Sequence, residues 1–552
     1  MNKIRIMALG GLDEDGKNMT LVEIDEDIFI IDCGLKYPET TSFGVEVIVP
    51  DFSYLEENKN RVKAIFITHG HDDVMGALPF LMQVVDAPIY TAPLTAALID
   101  DMFEKHNLKK YQIKRIKRSG SFKIGNTKIK TFSLTHSIPD TFGIAIWTDA
   151  GYIVHAVEYI IDFDLMDPTF ACDITEFADI GKEGVFALLT ESRSANREGF
   201  TSPRHRIHDA IEPYFERATG RIVISLYEQN IFRLLEVIEL AQKYRRKIYF
   251  VSQKQRSYLN HLSQLNYYHV PAGIEVSSDN FDNDVDNIVV IVSEQGPNVF
   301  RLMNKIAMNE HEKIQLRPQD LLLIASPVVA GAEKDAAGME NELYKDGVQV
   351  ESLDRKRFLT MHPSSEDLKM MMTLLKPKHY IPLKGDYRQL IDNASIALNR
   401  GFLANSIHVL DNGQQLTFVD GKVESISSVV EVEDVYVDGK DFLDSSSLVI
   451  RDREILGTDG SIIVGIVIDH QSKEIVGGPD VQSRGVIYLK DADYVVKECG
   501  QIISRVIKES VKNNNYDNIS ARNEAREHMS KYVYKMTGKR PMILPVIIEI
   551  NH

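Results

Sequence analysis

Cysteine is scarce in this chain. The 552 residues contain three, Cys33, Cys172 and Cys499, far apart and with no CxxC pair. That pattern excludes a disulfide framework and a cysteine-based zinc site, and it suits a reducing compartment. No apolar run reaches the ~18 residues of a membrane span. The opening residues, MNKIRIMALGG, lack the long apolar core of a signal peptide. The expectation is a cytoplasmic protein with no membrane partner. Positive charge is in deficit, 63 basic against 80 acidic residues for a net −17. Bulk nucleic-acid binding is therefore excluded, and any such contact needs a local basic patch. The sequence also lacks internal repeats and low-complexity tracts, which excludes a solenoid or propeller.

Core-forming residues are plentiful, with 44% hydrophobic and 26% charged. At ~150 residues per domain, the length implies three to four domains. Short apolar runs closed by Gly or Asp, at 4–7, 19–24 and 28–31, read as strands. Segment 61–68 is nearly all apolar, as expected of a strand buried on both faces. Further strands fit 128–134, 143–148, 152–154 and 185–190. Beyond about residue 205 the pattern becomes strand–helix alternation: 221–226, 231–244, 247–251, 321–325 and 347–350. This is a parallel βαβ region. A last unit has strands at 462–468, 486–489 and 543–550 and amphipathic helices at 495–511 and 520–536.

The densest chemical signal is Thr68-His69-Gly70-His71-Asp72-Asp73-Val74, at the end of a buried strand. Alternate side chains of an extended segment leave on one side, so His69 and His71 can converge on one cation. The plainer reading is a polar loop. Two His and two Asp in five residues argue against it.

This stretch resembles the HxHxDH motif of the metallo-β-lactamase fold. The whole chain resembles the ribonuclease J family of β-CASP nucleases, nearest its low-activity branch. The matching segments are Gly10-Gly11, Gly16-Lys17-Asn18-Met19, Thr135-His136-Ser137-Ile138-Pro139-Asp140, Glu191-Ser192 with Asn196, Gly199-Phe200-Thr201, Glu366-Asp367-Leu368 after His362, and Pro382-Leu383-Lys384-Gly385-Asp386-Tyr387-Arg388. The resemblance implies an α/β architecture. A metallo-β-lactamase αββα sandwich in two parts, 1–205 and 360–445, receives an inserted parallel α/β β-CASP domain at 206–359. A linker, 446–460, leads to a small α/β C-terminal oligomerisation domain, 461–552. The implied activity is 5′–3′ exoribonucleolytic, with internal cleavage as a second mode, in RNA decay and in rRNA and mRNA maturation.

The departures carry as much information as the matches. The resemblance implies two metal ions, held by four residues of the HxHxDH motif, a later His, a bridging Asp and a last His. His69, His71, His136 and Asp73 are present. Val74 replaces the final His of the motif, Glu158 stands where the bridging Asp is expected, and Lys384 replaces the last His. Val74 cannot ligate. Glu158 carries an extra methylene that shifts its carboxylate. Lys384 presents no lone pair and brings a positive charge of its own. The second site is left with Asp73 and Glu158, and the first keeps its three His. The expectation is one zinc or manganese ion at most. The alternative is a metal-free polar network in which Lys384 bridges to Asp73 or Glu158.

On the substrate side, Thr360-Met361-His362 stands where the resemblance implies a small-residue cradle for an RNA 5′ phosphate. Tyr227-Glu228-Gln229-Asn230 faces it, with Gln229 where a Ser is expected and Glu228 set to repel phosphate. Thr360, Met361, His362, Gln229 and Asn230 are the candidate substrate contacts. Asp73, His362 and Glu191 are the candidate catalytic residues. His362 also reads as the entry to a helix with a Ser364…Asp367 capping box. Two basic clusters, Lys109-Lys110 with Lys114-Arg115 and Lys117-Arg118, and the run 243–247, read first as solvated surface and second as phosphate-tracking patches. Two functions remain open. One is a weakened ribonuclease acting in a dimer or tetramer, homo- or hetero-oligomeric, with an active ribonuclease J paralogue. The other is a catalytically inactive structural and RNA-binding subunit of the same complex.

Overall fold

A computed structural model describes the chain except residues 1–2, 39–43, 109–110, 166, 329–331, 346, 355, 440, 445–447, 487–492 and 552. Two compact units are present. One is Met1–Tyr37 with Val47–Asp434, and the other is Pro38–Glu46 with Val435–His552.

The first unit is built on three sheets. In the eight-stranded sheet the order is Lys422–Ser428, Gln414–Val419, Lys3–Gly10, Met19–Ile24, Asp27–Ile31, Val62–Ile67, Ile89–Thr91, Ile113–Arg115. Lys3–Gly10 pairs antiparallel with Gln414–Val419, so residues about 400 positions apart close one sheet. The six-stranded sheet runs His379–Leu383, Val185–Glu191, Gly151–Ala156, Phe142–Thr148, Thr127–Ser133, Gly120–Ile124. The inner faces of these two sheets share one core, with Ile4, Phe29, Phe66 and Phe418 from one side and Ile144, Phe186, Leu189 and Ile381 from the other. Helices Ile174–Glu183 and Ser365–Leu375 cover the outer face of the six-stranded sheet. This is an αββα sandwich. Its two sheets need strands from both sides of the 206–359 segment, which is why that segment reads as an insertion.

The insertion contains a five-stranded, wholly parallel sheet: Lys247–Phe250, Ile288–Glu294, Ile222–Tyr227, Leu321–Ile324, Gln349–Ser352. Its central strands are continuous Ile, Val and Leu runs because helices bury both faces.

In the second unit, Ser461–Asp469 lies between Ile475–Arg484, antiparallel, and Met542–Ile550, parallel. Helices Asp493–Lys512 and Asn518–Thr537 pack on one face of this sheet. Ala521, Ala525, Met529 and Val533 repeat every four residues and form the buried stripe of the second helix. Strand Ile475–Arg484, broken by Gly477-Gly478-Pro479, was not expected from the sequence. The expected strand at 486–489 falls mostly outside the described residues, as do Lys109, Lys110 and the serines 445–447. Residues 446–460, expected as a linker, hold helix Leu448–Thr458.

Candidate metal centre

The site forms where strands of both sheets end. His69 follows Val62–Ile67, His136 follows Thr127–Ser133, Glu158 follows Gly151–Ala156, Glu191 closes Val185–Glu191, and Lys384 follows His379–Leu383. Glu158 and Lys384 both take left-handed backbone, with φ of 54° and 48°. Residues without glycine's freedom rarely adopt that conformation, and where they do it commonly marks a functional site.

The three imidazoles surround one oxygen of Glu158. His69 Nε2, His136 Nε2 and His71 Nδ1 lie 2.5, 3.1 and 3.4 Å from Glu158 Oε2. The four ligand atoms all fall within 4.8 Å of one another. The outer nitrogens set the tautomers. His136 Nδ1 donates to the Met361 carbonyl at 2.8 Å. His71 Nε2 faces the Gln229 carbonyl at 3.4 Å. His69 Nδ1 lies 3.0 Å from the Thr68 hydroxyl, which itself donates to Asp32 at 3.1 Å. With their protons directed outward, all three rings turn lone pairs inward onto a carboxylate oxygen. Such a convergence is satisfied by a cation, and three His with one carboxylate are a zinc-type donor set.

The charge states agree. Burial holds His69 and His136 well below the usual imidazole range, helped by the neighbouring rings and the Lys384 ammonium. Burial likewise brings His71 down to about 4. At neutral pH the rings are uncharged and their lone pairs are free.

Glu158 turns its other oxygen, Oε1, onto the Lys384 ammonium. The same ammonium bonds Asp73 Oδ2 at 2.6 Å. Asn18 donates to that Asp73 oxygen at 3.1 Å. Burial alone would raise the Asp73 carboxyl, but Lys384 and His71 outweigh it and bring it down to about 2. Asp73 was expected as a metal ligand. It stands outside the histidine cluster because its charge is already matched by Lys384. Glu158, expected at the bridging position and left with Asp73 to the second site, joins the three histidines and links them to Lys384.

His362 Nδ1 lies 2.7 Å from Glu191 Oε1, while Glu191 Oε2 accepts the Glu158 N–H at 2.8 Å. The His362 ring is 5.7 Å from that of His136. The capping box read around Ser364 and Asp367 is present, and Asp367 also accepts the Ile161 and Thr201 amides.

The expected substrate contacts divide. Gln229 reaches the site through its carbonyl. The Asn230 side chain instead caps helix Ile231–Lys243 by accepting the Arg233 N–H at 3.0 Å, which leaves it committed. Met361 is 3% exposed and contributes its carbonyl rather than a phosphate-facing surface. Thr360 is half-buried beside it. Glu228 is buried against Ser252 and Lys254 and does not face the site as a bare charge. Of the basic clusters, Arg118 and Arg246 donate to backbone carbonyls within the fold, and Lys243 pairs with Glu212.

Sequence reasoning missed Asp32. It sits in left-handed backbone at the end of Asp27–Ile31 and accepts both the Thr68 amide and hydroxyl. Burial, opposed by the Thr68 bonds, raises its carboxyl to about 7. An Asp closing an apolar run next to a Gly was the available signal.

An αββα sandwich whose strand ends gather three His and a carboxylate, with a parallel α/β insertion, defines a metallo-β-lactamase–type hydrolase carrying a β-CASP domain. Models of three families match the chain: the metallo-beta-lactamase superfamily over 12–159, the ribonuclease J beta-CASP domain over 219–343, and the ribonuclease J C-terminal domain over 448–550. Proteins named ribonuclease J 2 are similar over nearly the full length. That of Staphylococcus epidermidis is 31% identical and that of Staphylococcus aureus 32%, each over 99% of this chain and 98% of its own. The chain belongs to the ribonuclease J family. A crystal structure of a protein of unknown function from Enterococcus faecalis shares the fold, with a TM-score of 0.52 and 14% identity over 75% of this chain and all of that one. Family membership supports a role in RNA processing and a divalent metal at the histidine cluster. Among the described residues, no helix is long and apolar enough to cross a membrane.

Proposed function

We propose that this chain is a cytoplasmic ribonuclease J subunit of low intrinsic activity that works on RNA in complex with an active paralogue. Its residual chemistry is 5′–3′ exoribonucleolytic, with internal cleavage as a second mode, in RNA decay and rRNA and mRNA maturation. The observation that carries this reading is the Lys384 ammonium between Asp73 and Glu158. It supplies the charge of a second cation without a coordination site.

His69, His71, His136 and Glu158 would hold one zinc or manganese ion, whose chemistry is Lewis-acid activation of water and phosphate. Lys384 pairs with both Asp73 and Glu158, one positive charge against two negative, but an ammonium cannot take a second phosphate oxygen or water as a ligand. His362, held by Glu191 through Nδ1, keeps Nε2 for a proton or a phosphate oxygen. Met361, buried and bonded through its carbonyl to His136, and Asn230, committed to its helix cap, leave the phosphate cradle short of contacts. These two commitments also favour the second reading, a catalytically inactive structural and RNA-binding subunit. We take 1–205 with 360–445 as the catalytic-type domain, 206–359 as the β-CASP domain and 461–552 as the assembly domain.

Initial rates on 5′-monophosphorylated RNA separate the readings. The isolated chain is expected to be at least ~100-fold slower than a family member with both metal sites, since each lost electrostatic contact costs about that much. His69→Ala with His71→Ala should abolish what remains. A rate equal to that of an intact enzyme would contradict the degenerate-site reading. Activity unchanged by the double substitution would assign it to a contaminant.

Assembly has its own support within the second unit. Ile463, Leu544, Val546, Ile548 and Ile550 share the sheet face opposite the helices and are each 40–50% exposed. Strand Met542–Ile550 pairs only with Ser461–Asp469 among the described residues, which leaves an open edge. An apolar face of this kind marks a protein contact. Val546→Asp with Ile548→Asp is expected to shift the sedimenting species to monomer and to abolish association with an active paralogue. Unchanged sedimentation would contradict the assignment.

A further inference from the structure

We propose that the outer face of helix Asn518–Thr537 is a contact surface for single-stranded RNA, separate from the strand-end site. A groove of about 630 Å³ lies there, lined by Asn523, Arg526, Glu527, Ser530, Lys531, Tyr534 and Arg540, with Glu527 its one acidic residue. These residues follow the helical spacing of three to four and lie opposite the buried Ala521–Val533 stripe. From Asn523 to Tyr534 the stripe is roughly 16 Å long.

Charge and aromatic content select the ligand. Residues 518–540 carry six basic side chains (Arg522, Arg526, Lys531, Lys535, Lys539 and Arg540) against two acidic ones (Glu524 and Glu527), in a chain with a net charge of −17. Lys531 is paired with Glu527 at 2.5 Å. Arg526 and the guanidinium of Arg540 meet no carboxylate among the described residues. Arg540 instead lies over the Tyr534 ring, 4.6 Å from its centroid, and that ring is 49% exposed. A guanidinium beside an exposed aromatic ring, flanked by an unpaired arginine and by Asn and Ser, provides phosphate charges next to a stacking platform. That combination serves unstacked bases and the backbone between them.

Arg and Tyr also recur in protein interfaces, but a protein partner fits this face poorly: the groove carries Lys, Glu and Ser, which such interfaces deplete, and lacks their apolar centre. The apolar sheet face, on the other side of the same unit, has that composition. The two faces thus divide the work of this small domain between protein and nucleic acid. The inference rests on the chain handling RNA at all.

The test uses the full chain, EDTA to suppress cleavage, and a fluorescein-labelled oligouridine of about 20 nucleotides read by anisotropy. Arg526→Gln with Arg540→Gln should weaken binding ~10-fold and reduce the slope of log affinity against log salt by about 1.4, as for two lost single-strand phosphate contacts. Tyr534→Ala should weaken it at least ~5-fold, as for one lost stacked base. Lys422→Gln, on an exposed strand of the first unit, should change nothing. All these side chains are exposed, and unchanged melting confirms folding. If the unaltered chain fails to bind, the RNA-handling reading falls and this proposal falls with it. If the unaltered chain binds and the variants match it in affinity and salt slope, this proposal alone is overturned. The same holds if the variants change sedimentation and not binding.

Discussion

Substituting Val74→His, Glu158→Asp and Lys384→His together will raise the metal content from one to two equivalents per chain and increase hydrolysis of 5′-monophosphorylated RNA by at least ~100-fold. The expectation follows from where the three side chains lie. Val74 is fully buried and apolar beside Asp73, so it cannot contribute a donor. Lys384 occupies the position between Asp73 and Glu158, where its charge repels a dication. Lys384→His alone will do less, because Val74 still leaves the second site short of a ligand. Elemental analysis and initial rates check both halves. A second ion without a gain in rate would place the remaining defect in the phosphate cradle at Thr360, Met361 and Gln229.

Lys384→Ala has the largest expected effect on stability. The lysine side chain is 3% exposed and Glu158 is 1% exposed. Removing one partner of a buried ion pair costs about 3–5 kcal/mol, because the remaining charge stays buried without its counterion. Here two carboxylates remain. In the intact protein the Asp73 carboxyl is held down at about 2. Its contribution to stability is therefore complete above the unfolded value of ~3.9 and is lost as the pH falls towards 2. In the variant that contribution is absent, so the stability deficit should be greatest at neutral pH and shrink on acidification. Added manganese or zinc should restore most of the loss by replacing the ammonium. Thermal melting with and without metal reads this directly. A variant that melts with the parent, or that metal does not rescue, would remove Lys384 from the role of resident cation.

The individual strands, the parallel strand–helix region and the three histidines were legible in the residues, whereas the split sandwich with its insertion was implied by the family resemblance. Short apolar runs closed by Gly or Asp, the doubly buried run 61–68 and the HGHDD loop are local patterns with direct physical meaning. The Lys384 bridge was legible as one of two arrangements, from charge alone. What was not legible depends on side-chain direction. Glu158 reaches the histidines with one oxygen and Lys384 with the other, and its left-handed backbone carries no sequence signature. Asn230 looked like a phosphate contact and is a helix cap, because Asn suits both and only the start of Ile231–Lys243 decides. Asp32 escaped notice because its role passes through Thr68 to His69. The strand Ile475–Arg484 was hidden by its glycines and proline, which weaken a strand pattern.

The most direct measurement is the zinc and manganese content of the unaltered chain beside that of Lys384→Ala, each purified, metal-loaded and dialysed before elemental analysis. The account predicts no more than one equivalent per chain in the unaltered protein, lost on substituting His69 and His71, and only a fraction of a second equivalent in Lys384→Ala, which frees Asp73 and Glu158 but supplies no new ligand. Two tightly held equivalents in the unaltered chain would contradict it.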